Sequence, residues 1–317
     1  MKDISDKIAT SRKAVAQAVL RVTEKTIEKI NNGQIPKGNP LEVAKVAGIQ
    51  AAKNTWQIIP YCHQLPLDFV GIEYQLESDC IKIEATVKTI NKTGVEMEAM
   101  TAASVAALTI YDMVKFLDDV AEVEGVKLLS KAGGKSDFKQ SGSKQLTAAI
   151  IVMSDRIYNK EAEDRSGKVI KEALDEHHIE TRKLVVLPDN EKQLITTIVR
   201  LCDGQSIDLI LITGGTGIGP RDKTPEAVNE VIDLHLPGVA EAIRAYGQER
   251  NPHAMLSRSI AGVRKSTVIV GMPGSTSGVK DALAVLLPHI LHTVEVLDGK
   301  GHEEKEKSLQ TTGAVSS

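Results

Sequence analysis

The sequence predicts two domains of different class, an α+β sandwich followed by an α/β domain with a doubly wound, mostly parallel sheet. Three observations predict this. The 317 residues suffice for two ordinary domains of roughly 100–200 residues each. In the first part, hydrophobic spacing passes from helical to strictly alternating and back to helical. Beyond a polar Gly- and Ser-rich stretch, short continuous apolar runs alternate with amphipathic segments.

The first domain reads helix first. Ile8 to Ile30 carries Ala14, Ala18 and Val22 at helical spacing and stops at Asn31–Asn32–Gly33. After a loop from Gln34 to Pro40, Leu41 to Trp56 is a second helix. Asp68–Leu76 and Ile81–Ile90 alternate apolar and polar around Glu77–Cys80, which predicts an antiparallel pair. Val95–Leu117 is one long helix rich in small residues. This order places helices on one face of an antiparallel sheet.

Lys131 to Lys144, KAGGKSDFKQSGSK, has no periodicity, and its second half predicts a linker over 140–146. The domains are thus 1–139 and 147–299. In the second, Ala148–Met153, Lys183–Leu187, Asp208–Ile212 and Thr267–Val270 read as strands. Ser166–Glu176, Glu191–Cys202, Thr224–Ile232, Val239–Gln248 and Val279–Leu297 read as helices. Continuous apolar strands mean a sheet buried on both faces, whose ligands sit at the carboxyl ends of the strands. Residues 300–317 are charged, then small and polar, and are expected to be a disordered tail.

Composition bounds the function. With 39 basic against 42 acidic residues, the chain lacks the basic excess of a general nucleic-acid binder. An anionic ligand must therefore be held by a few placed lysines and backbone amides. Aromatic residues are only 3%, so the cores must be aliphatic. Cys62, Cys80 and Cys202 are dispersed, with no C-x-x-C pair, so neither a zinc knuckle nor an iron–sulfur cluster is indicated. An odd, dispersed set fits a reducing cytoplasm. The charged start MKDISDKIATSRK is not a signal peptide, and no apolar run reaches the ~18 residues of a membrane span.

In the first domain Asp112 and Lys115 share one face of the long helix. An isolated pair of this kind is usually an exposed ion pair worth roughly 0–1 kcal/mol. Here it ends an almost wholly apolar helix, which predicts partial burial and perturbed proton affinities, including a lysine of lowered pKa. Lys37 lies in a Pro–Lys–Gly turn, Tyr61–Cys62–His63 lies between Pro60 and Pro66, and Lys131–Lys135 is a basic Gly-rich turn suited to phosphate.

The strings AGIQAAKNTW, IPYCHQLPL, KTGVEMEAMTAASVAALTIYDMVK and GGKS closely resemble the MoaC family, the cyclic pyranopterin monophosphate synthases, over residues 1–139. The family's GGKSGDF stands here as GGKSDF. The resemblance implies a ferredoxin-like fold in a hexamer built from dimers. It implies conversion of a cyclised dihydroguanosine triphosphate intermediate to cyclic pyranopterin monophosphate, with pyrophosphate released. It assigns catalysis to Asp112, Lys115 and Lys37, and substrate contact to Tyr61, Cys62, His63, Met97 and Glu98. Lys53, Arg12 and Lys131 are phosphate partners by charge and position.

In the second domain TGGTGIGPRDKTP, Thr213–Pro225, follows a strand directly. Five glycine or proline positions in its first eight residues make a tight loop that brings backbone amides against a ligand. It is neither a Walker A loop nor the dinucleotide fingerprint, so no nicotinamide site is indicated, and no haem is expected. Asp189 and Asp222 follow strands; each reads as a helix N-cap or as part of a Mg²⁺–phosphate site. Pro273–Gly274–Ser275 opens a helix, whose N-terminal amides can bind phosphate.

TGGTGIGPRDKTPEA, LSRSIAGVR and MPGST resemble the MogA/MoaB family of molybdopterin-binding proteins over residues 146–299. The resemblance implies adenylyl transfer from Mg·ATP to molybdopterin, with Asp189 and Asp222 essential and binding Mg²⁺. ATP is then expected over Gly214, Gly215, Thr216 and Gly217 and the Pro273–Ser275 turn. Alternatives for this domain are a non-catalytic molybdopterin-binding module and a nucleotide pyrophosphatase. The two families form hexamers and trimers, which implies a homo-oligomer with threefold symmetry whose only other partners are small pterin and nucleotide substrates.

Overall fold

A computed structural model describes residues 1–134, 145–205 and 207–297. Most of the linker 140–146, Lys135 of the basic turn and the tail 300–317 lie outside the described residues. The chain divides into two compact units, residues 1–138 and 139–317.

The first unit opens on a strand. β1 (Thr10–Arg21) precedes α1 (Glu24–Asn31), α2 (Pro40–Lys53), the short α3 (Thr55–Ile58), β2 (Phe69–Leu76), β3 (Cys80–Asn91), α4 (Glu96–Val114) and β4 (Glu122–Ala132). The sheet is antiparallel with order β2-β3-β1-β4. This is the split βαβ arrangement of a ferredoxin-like α+β fold.

The helix expected over Ile8–Ile30 is therefore corrected to β1 followed by α1. Its alanines carry two periods at once. Ala14 and Ala18 sit at helical spacing, but Ala14, Ala16, Ala18 and Leu20 also alternate, and all four are fully buried. Pairing settles the matter, because β1 lies between β3 and β4 and closes the middle of the sheet. β4 was not legible: it is an edge strand, mostly exposed, so it carries no clean alternation.

The buried face of β1 and β3 (Ile81, Ile83, Ala85, Val87) packs in one core with Ala99, Ala102, Ala103, Ala106 and Ile110 of α4. α2 lies close against α4. A Cβ on Gly48 would sit 3.1 Å from the Ala102 carbonyl oxygen and 3.3 Å from Ala106 Cβ. Small residues on both helices permit that approach.

The second unit contains β5 (Thr147–Met153), α5 (Asp155–Tyr158), α6 (Ser166–Glu176), β6 (Glu180–Leu187), α7 (Glu191–Gly204), β7 (Leu209–Thr213), α8 (Thr224–Val231) and β8 (Leu234–His235). α9 (Pro237–Gln248), a 3₁₀ turn (Pro252–Leu256), β9 (Ile260–Arg264), β10 (Thr267–Met272), α10 (Thr276–Leu286) and α11 (Leu291–Leu297) follow. The sheet order is β6-β5-β7-β10-β9-β8. β6, β5, β7 and β10 are parallel, and β9 and β8 are added antiparallel at one edge. All residues of β5, β7 and β10 are buried, as a sheet covered on both faces requires.

Two corrections apply here. β8 and β9 were missed, because each is short and β9 carries a glycine at its centre. The helix expected over Val279–Leu297 is two helices, α10 and α11. Pro288 lies between them and has no N–H to continue the first.

Candidate functional sites

In the first unit, Asp112 stands in the last turn of α4. Its Oδ2 accepts a hydrogen bond from Lys37 Nζ at 2.8 Å, and its Oδ1 pairs with Lys115 Nζ at 2.7 Å. Lys37 Nζ also donates to the Asp112 carbonyl oxygen at 2.9 Å, one of the acceptors a helix leaves free at its C-terminal end. Lys37 reaches there because the Ile35–Gly38 turn closes on itself, with Gly38 at φ +96°. Its ammonium also lies 5.8 Å from the centre of the Phe116 ring. The structure thus joins three predicted residues from two segments.

The electrostatics differ from the expectation. Hydrogen bonds from Lys115 and then Lys37 hold the Asp112 carboxyl at about 2. The same bond to Asp112 raises Lys115. The side chains of Lys37, Asp112 and Lys115 are 44%, 56% and 51% exposed. So the pair is not partly buried, and Lys115 is not the predicted lysine of lowered pKa: a carboxylate partner in contact with solvent favours the ammonium.

The other predicted contacts gather at the opposite end of α4. Glu98, in its first turn, is buried, and burial pushes its carboxyl up. Cys62 is raised by burial and then by the charge of Glu98, which places the Tyr61–His63 loop beside it. Met97 is partly exposed and Tyr61 largely so. Lys131 pairs with Glu96 at 3.3 Å. Arg12 donates from Nε to the Asn91 carbonyl at 3.2 Å, next to the strand register that pairs Ala14 with Lys131. α2 starts near Lys37 and runs back past Ala106 and Ala102, so Lys53 in its last turn points toward this end too. Fourteen residues separate Glu98 from Asp112. At 1.5 Å per residue the two groups are about 21 Å apart, too far to surround one reacting centre.

The second unit's site is built where the parallel strands end. After β7, Gly214 (φ +98°) and Gly215 (φ +65°) take left-handed conformations. A Cβ on Gly214 would run into the Met153 carbonyl oxygen, and one on Gly274 would lie 3.1 Å from Gly214 Cα. The Gly loop and the Pro273–Ser275 turn therefore pack backbone against backbone. Thr213 Oγ1 donates to the Pro273 carbonyl at 2.8 Å, and Ser166 Oγ to that of Gly274 at 3.0 Å. Ser275 caps α10 by accepting from the Gly278 amide. Thr216, Gly217 and the Pro273–Ser275 turn border a cleft of about 690 Å³, closed on its other side by α9 and the 3₁₀ turn. That size suits a nucleotide or pterin.

Asp222 accepts from the Gly219 amide at 2.8 Å and so folds back over its own loop. Asp189 is tied in through Asp155, whose Oδ1 accepts the Asp189 amide at 3.0 Å while its Oδ2 binds Arg221 at 2.9 Å. Burial, then the Asp155 carboxylate, and more weakly Asp222, raise the Asp189 carboxyl. Mutually repelling carboxylates of this kind fit a divalent cation. Among the described residues, the one trio of metal-ligand types with all ligand atoms within 4.8 Å is Glu77, Asp79 and Cys80 in the first unit. Asp155, Asp189 and Asp222 do not converge that closely.

The sequence marks Asp155 only as one of several polar groups at strand ends that favour a Mg²⁺–phosphate site, and assigns no role to Arg221 or Arg258. Asp155 and Arg221 act through each other across 66 positions, and no local spacing signals that. Arg258 stands in the LSRSIAGVR string, yet its bonds reach the Gly loop.

Comparison with known proteins gives the same division. Residues 1–134 match the MoaC family, and residues 149–292 match the probable molybdopterin binding domain. A molybdenum cofactor biosynthesis bifunctional protein of Chlorobaculum tepidum is 44% identical over 302 residues, covering 95% of this chain and 96% of that protein. One of the same description from Synechococcus elongatus is 38% identical over 315 residues, covering 95% and 98%. A cyclic pyranopterin monophosphate synthase of Brevibacillus brevis is 49% identical over 145 residues, covering 45% of this chain and 91% of that one.

Proposed function

Because the chain belongs to the family of molybdenum cofactor biosynthesis bifunctional proteins, we propose that each of its units catalyses one reaction of that biosynthesis. The first converts a cyclised dihydroguanosine triphosphate intermediate to cyclic pyranopterin monophosphate. An oxygen of the intermediate attacks the α-phosphorus, the bond to the leaving pyrophosphate breaks, and the hydroxyl proton is carried away. The arrangement that carries this reading is the Lys37–Asp112–Lys115 group. Two ammonium groups held 2.8 and 2.7 Å from one carboxylate leave a net positive charge there to draw a phosphate group of the substrate. Lys115, kept protonated by Asp112, is suited to holding phosphate charge rather than to taking up a proton.

The second unit adenylylates molybdopterin with ATP. The terminal phosphate oxygen of molybdopterin attacks the α-phosphorus of ATP, and pyrophosphate leaves. Support comes from the cleft that Thr216 and Gly217 border, in the same loop as Asp222, and from the Asp189 carboxyl, which burial and then the Asp155 and Asp222 charges raise. Thr216, Gly217 and the N-terminus of α10 would face phosphates there, with the Pro273–Ser275 turn as the floor; Gly214 and Gly215 shape the loop from outside the cleft, the Gly214 amide donating to the Met272 carbonyl at 3.3 Å. Asp189 and Asp222 would hold Mg²⁺, which supplies charge neutralisation on the phosphates when bound. The three cysteines are unpaired, in keeping with cytoplasmic action.

The first site also needs a second copy of the chain. Its two residue sets lie at opposite ends of α4, so a neighbour's helix running antiparallel would bring one copy's Tyr61–His63 loop to the other's Asp112. Such mutual completion requires a twofold axis. A hexamer with threefold and twofold axes provides one; a simple trimer does not.

The test is direct. The full-length chain is incubated separately with the triphosphate intermediate and with Mg·ATP plus molybdopterin. Cyclic pyranopterin monophosphate with pyrophosphate in the first, and adenylyl-molybdopterin in the second, are the expected products. AMP released without pterin would make the second unit a pyrophosphatase, and binding without turnover would make it a carrier.

A further inference from the structure

We propose that Arg258 is the positioning residue of the second unit: its guanidinium fixes the Gly loop and, with it, Asp222. The inference rests on the adenylyl-transfer reading of that unit.

Arg258 sits between the 3₁₀ turn and β9 and is bonded to the loop at three points and to α8 at a fourth. Its own amide donates to the Thr216 carbonyl at 2.7 Å. Its Nε donates to the Gly217 carbonyl at 2.7 Å, one terminal nitrogen to the Asp222 carbonyl at 2.5 Å, and the other to Glu226 Oε1 at 2.5 Å. These partners span both flanks of the loop and the first turn of α8. Between Gly217 and Asp222, the backbone hydrogen bond of the Asp222 amide to Gly219 and the Asp222–Gly219 side-chain bond close the turn on itself. Neither ties the loop to the rest of the unit, and Ile218 at its tip is 74% exposed. Arg258 provides that tie, together with the Arg221–Asp155 pair, in which the Arg221 side chain is 74% exposed. Its own backbone is anchored in turn, because Arg244 of α9 donates to the Ser259 carbonyl at 2.9 Å.

The chemistry requires arginine. Three acceptors in three directions match the planar fork of a guanidinium, whereas an ammonium on a flexible stem cannot hold all three. Glu226 supplies the counter-charge, and its carboxyl is lowered chiefly by the bond to Arg258. Its second oxygen is buried without a partner, so the carboxylate is oriented by Arg258 on one side. Arg258 touches no reacting atom in this arrangement; it acts through the position of Asp222 and the loop amides.

The experiment compares full-length wild type, Arg258→Ala and Arg258→Lys, each first shown folded by circular dichroism. Adenylyl-molybdopterin formation and amide hydrogen exchange in residues 217–222 are then followed. Both variants should lose kcat by about 10²-fold, the usual effect of a small misplacement. KM for ATP should rise by less than kcat falls, because Thr216 and Gly217 loosen while the Pro273–Ser275 turn and the α9 wall of the cleft keep their own bonds. The loop amides should exchange about tenfold faster. Free guanidinium should return part of kcat to Arg258→Ala. Wild-type kcat in Arg258→Lys would overturn the proposal, since lysine keeps the charge against Glu226 but not the fork. So would unchanged loop exchange in a folded Arg258→Ala. If wild type itself forms no adenylyl-molybdopterin, the adenylyl-transfer reading fails, and the exchange rates alone decide whether Arg258 holds the loop.

Discussion

Asp112 accepts from two lysines at once, and that limits what each of the three groups can do. A carboxyl held at about 2 is ionised throughout the neutral range. Its folded value is depressed, so its favourable contribution is complete above the ordinary carboxylate range and is lost only as pH falls through about 2. The cyclisation rate should therefore show no acid limb from Asp112 over roughly pH 5 to 8. An acid limb there that vanishes in Asp112→Asn would contradict this. Lys115 is raised because Asp112 is beside it, so in Asp112→Asn the alkaline limb of the pH–rate profile should move to lower pH. Lys115→Ala should lower kcat/KM by about 10³-fold, within the range of losing one charge-stabilising group. At Gly214 the constraint is backbone geometry. Gly214→Ala puts a Cβ against the Met153 carbonyl at φ +98°, and it should cost about 1–3 kcal/mol, read as a lowered melting midpoint of the second unit.

α4 shows what an element adds that its residues do not. Its string VEMEAMTAASVAALTIYDMVK marked it as a helix carrying function, and both its ends carry predicted site residues. What the string could not show is that a rigid helix keeps those ends about 21 Å apart. The same gap between local pattern and tertiary placement explains the misread N-terminus. Alanine supports helical and alternating periods equally, so only the pairing of β1 with β3 and β4 decides. The strands of the second unit were legible because β5, β7 and β10 are continuous apolar runs. β4, β8 and β9 were not, being exposed, short or glycine-interrupted at sheet edges. The Gly loop and its aspartates were legible as a string; the Asp155–Arg221 and Arg258 links across it were not. If two copies complete each first site, Lys115→Ala and His63→Ala chains should complement after unfolding and refolding together. Random pairing in twofold dimers restores about a quarter of wild-type cyclisation. No recovery in the mixture, with each variant folded and oligomeric, would show that one chain holds the whole site.

For the whole molecule, the two proposed chemistries share a demand but no residues. Both place a phosphorus atom among fixed donors and expel pyrophosphate, one with lysines around a carboxylate, the other with glycine amides and carboxylates. Each unit has its own core: the aliphatic cluster under the antiparallel sheet in the first, and two clusters on the faces of the parallel sheet in the second. Among the described residues each site is assembled from side chains of its own unit, so the two activities should be lost separately. Lys115→Ala should stop cyclic pyranopterin formation and leave adenylyl transfer at its wild-type rate; Asp222→Asn should do the reverse. An equimolar mixture of the two variants should then carry out both reactions. Loss of both activities in either single variant, in protein that melts like wild type, would mean that the sites are coupled. Light scattering gives the assembly to which this applies. A mass six times that of the chain is expected; a monomer or a simple trimer would remove the basis for sites completed by a second copy while leaving the independence of the two units to stand on the kinetics alone.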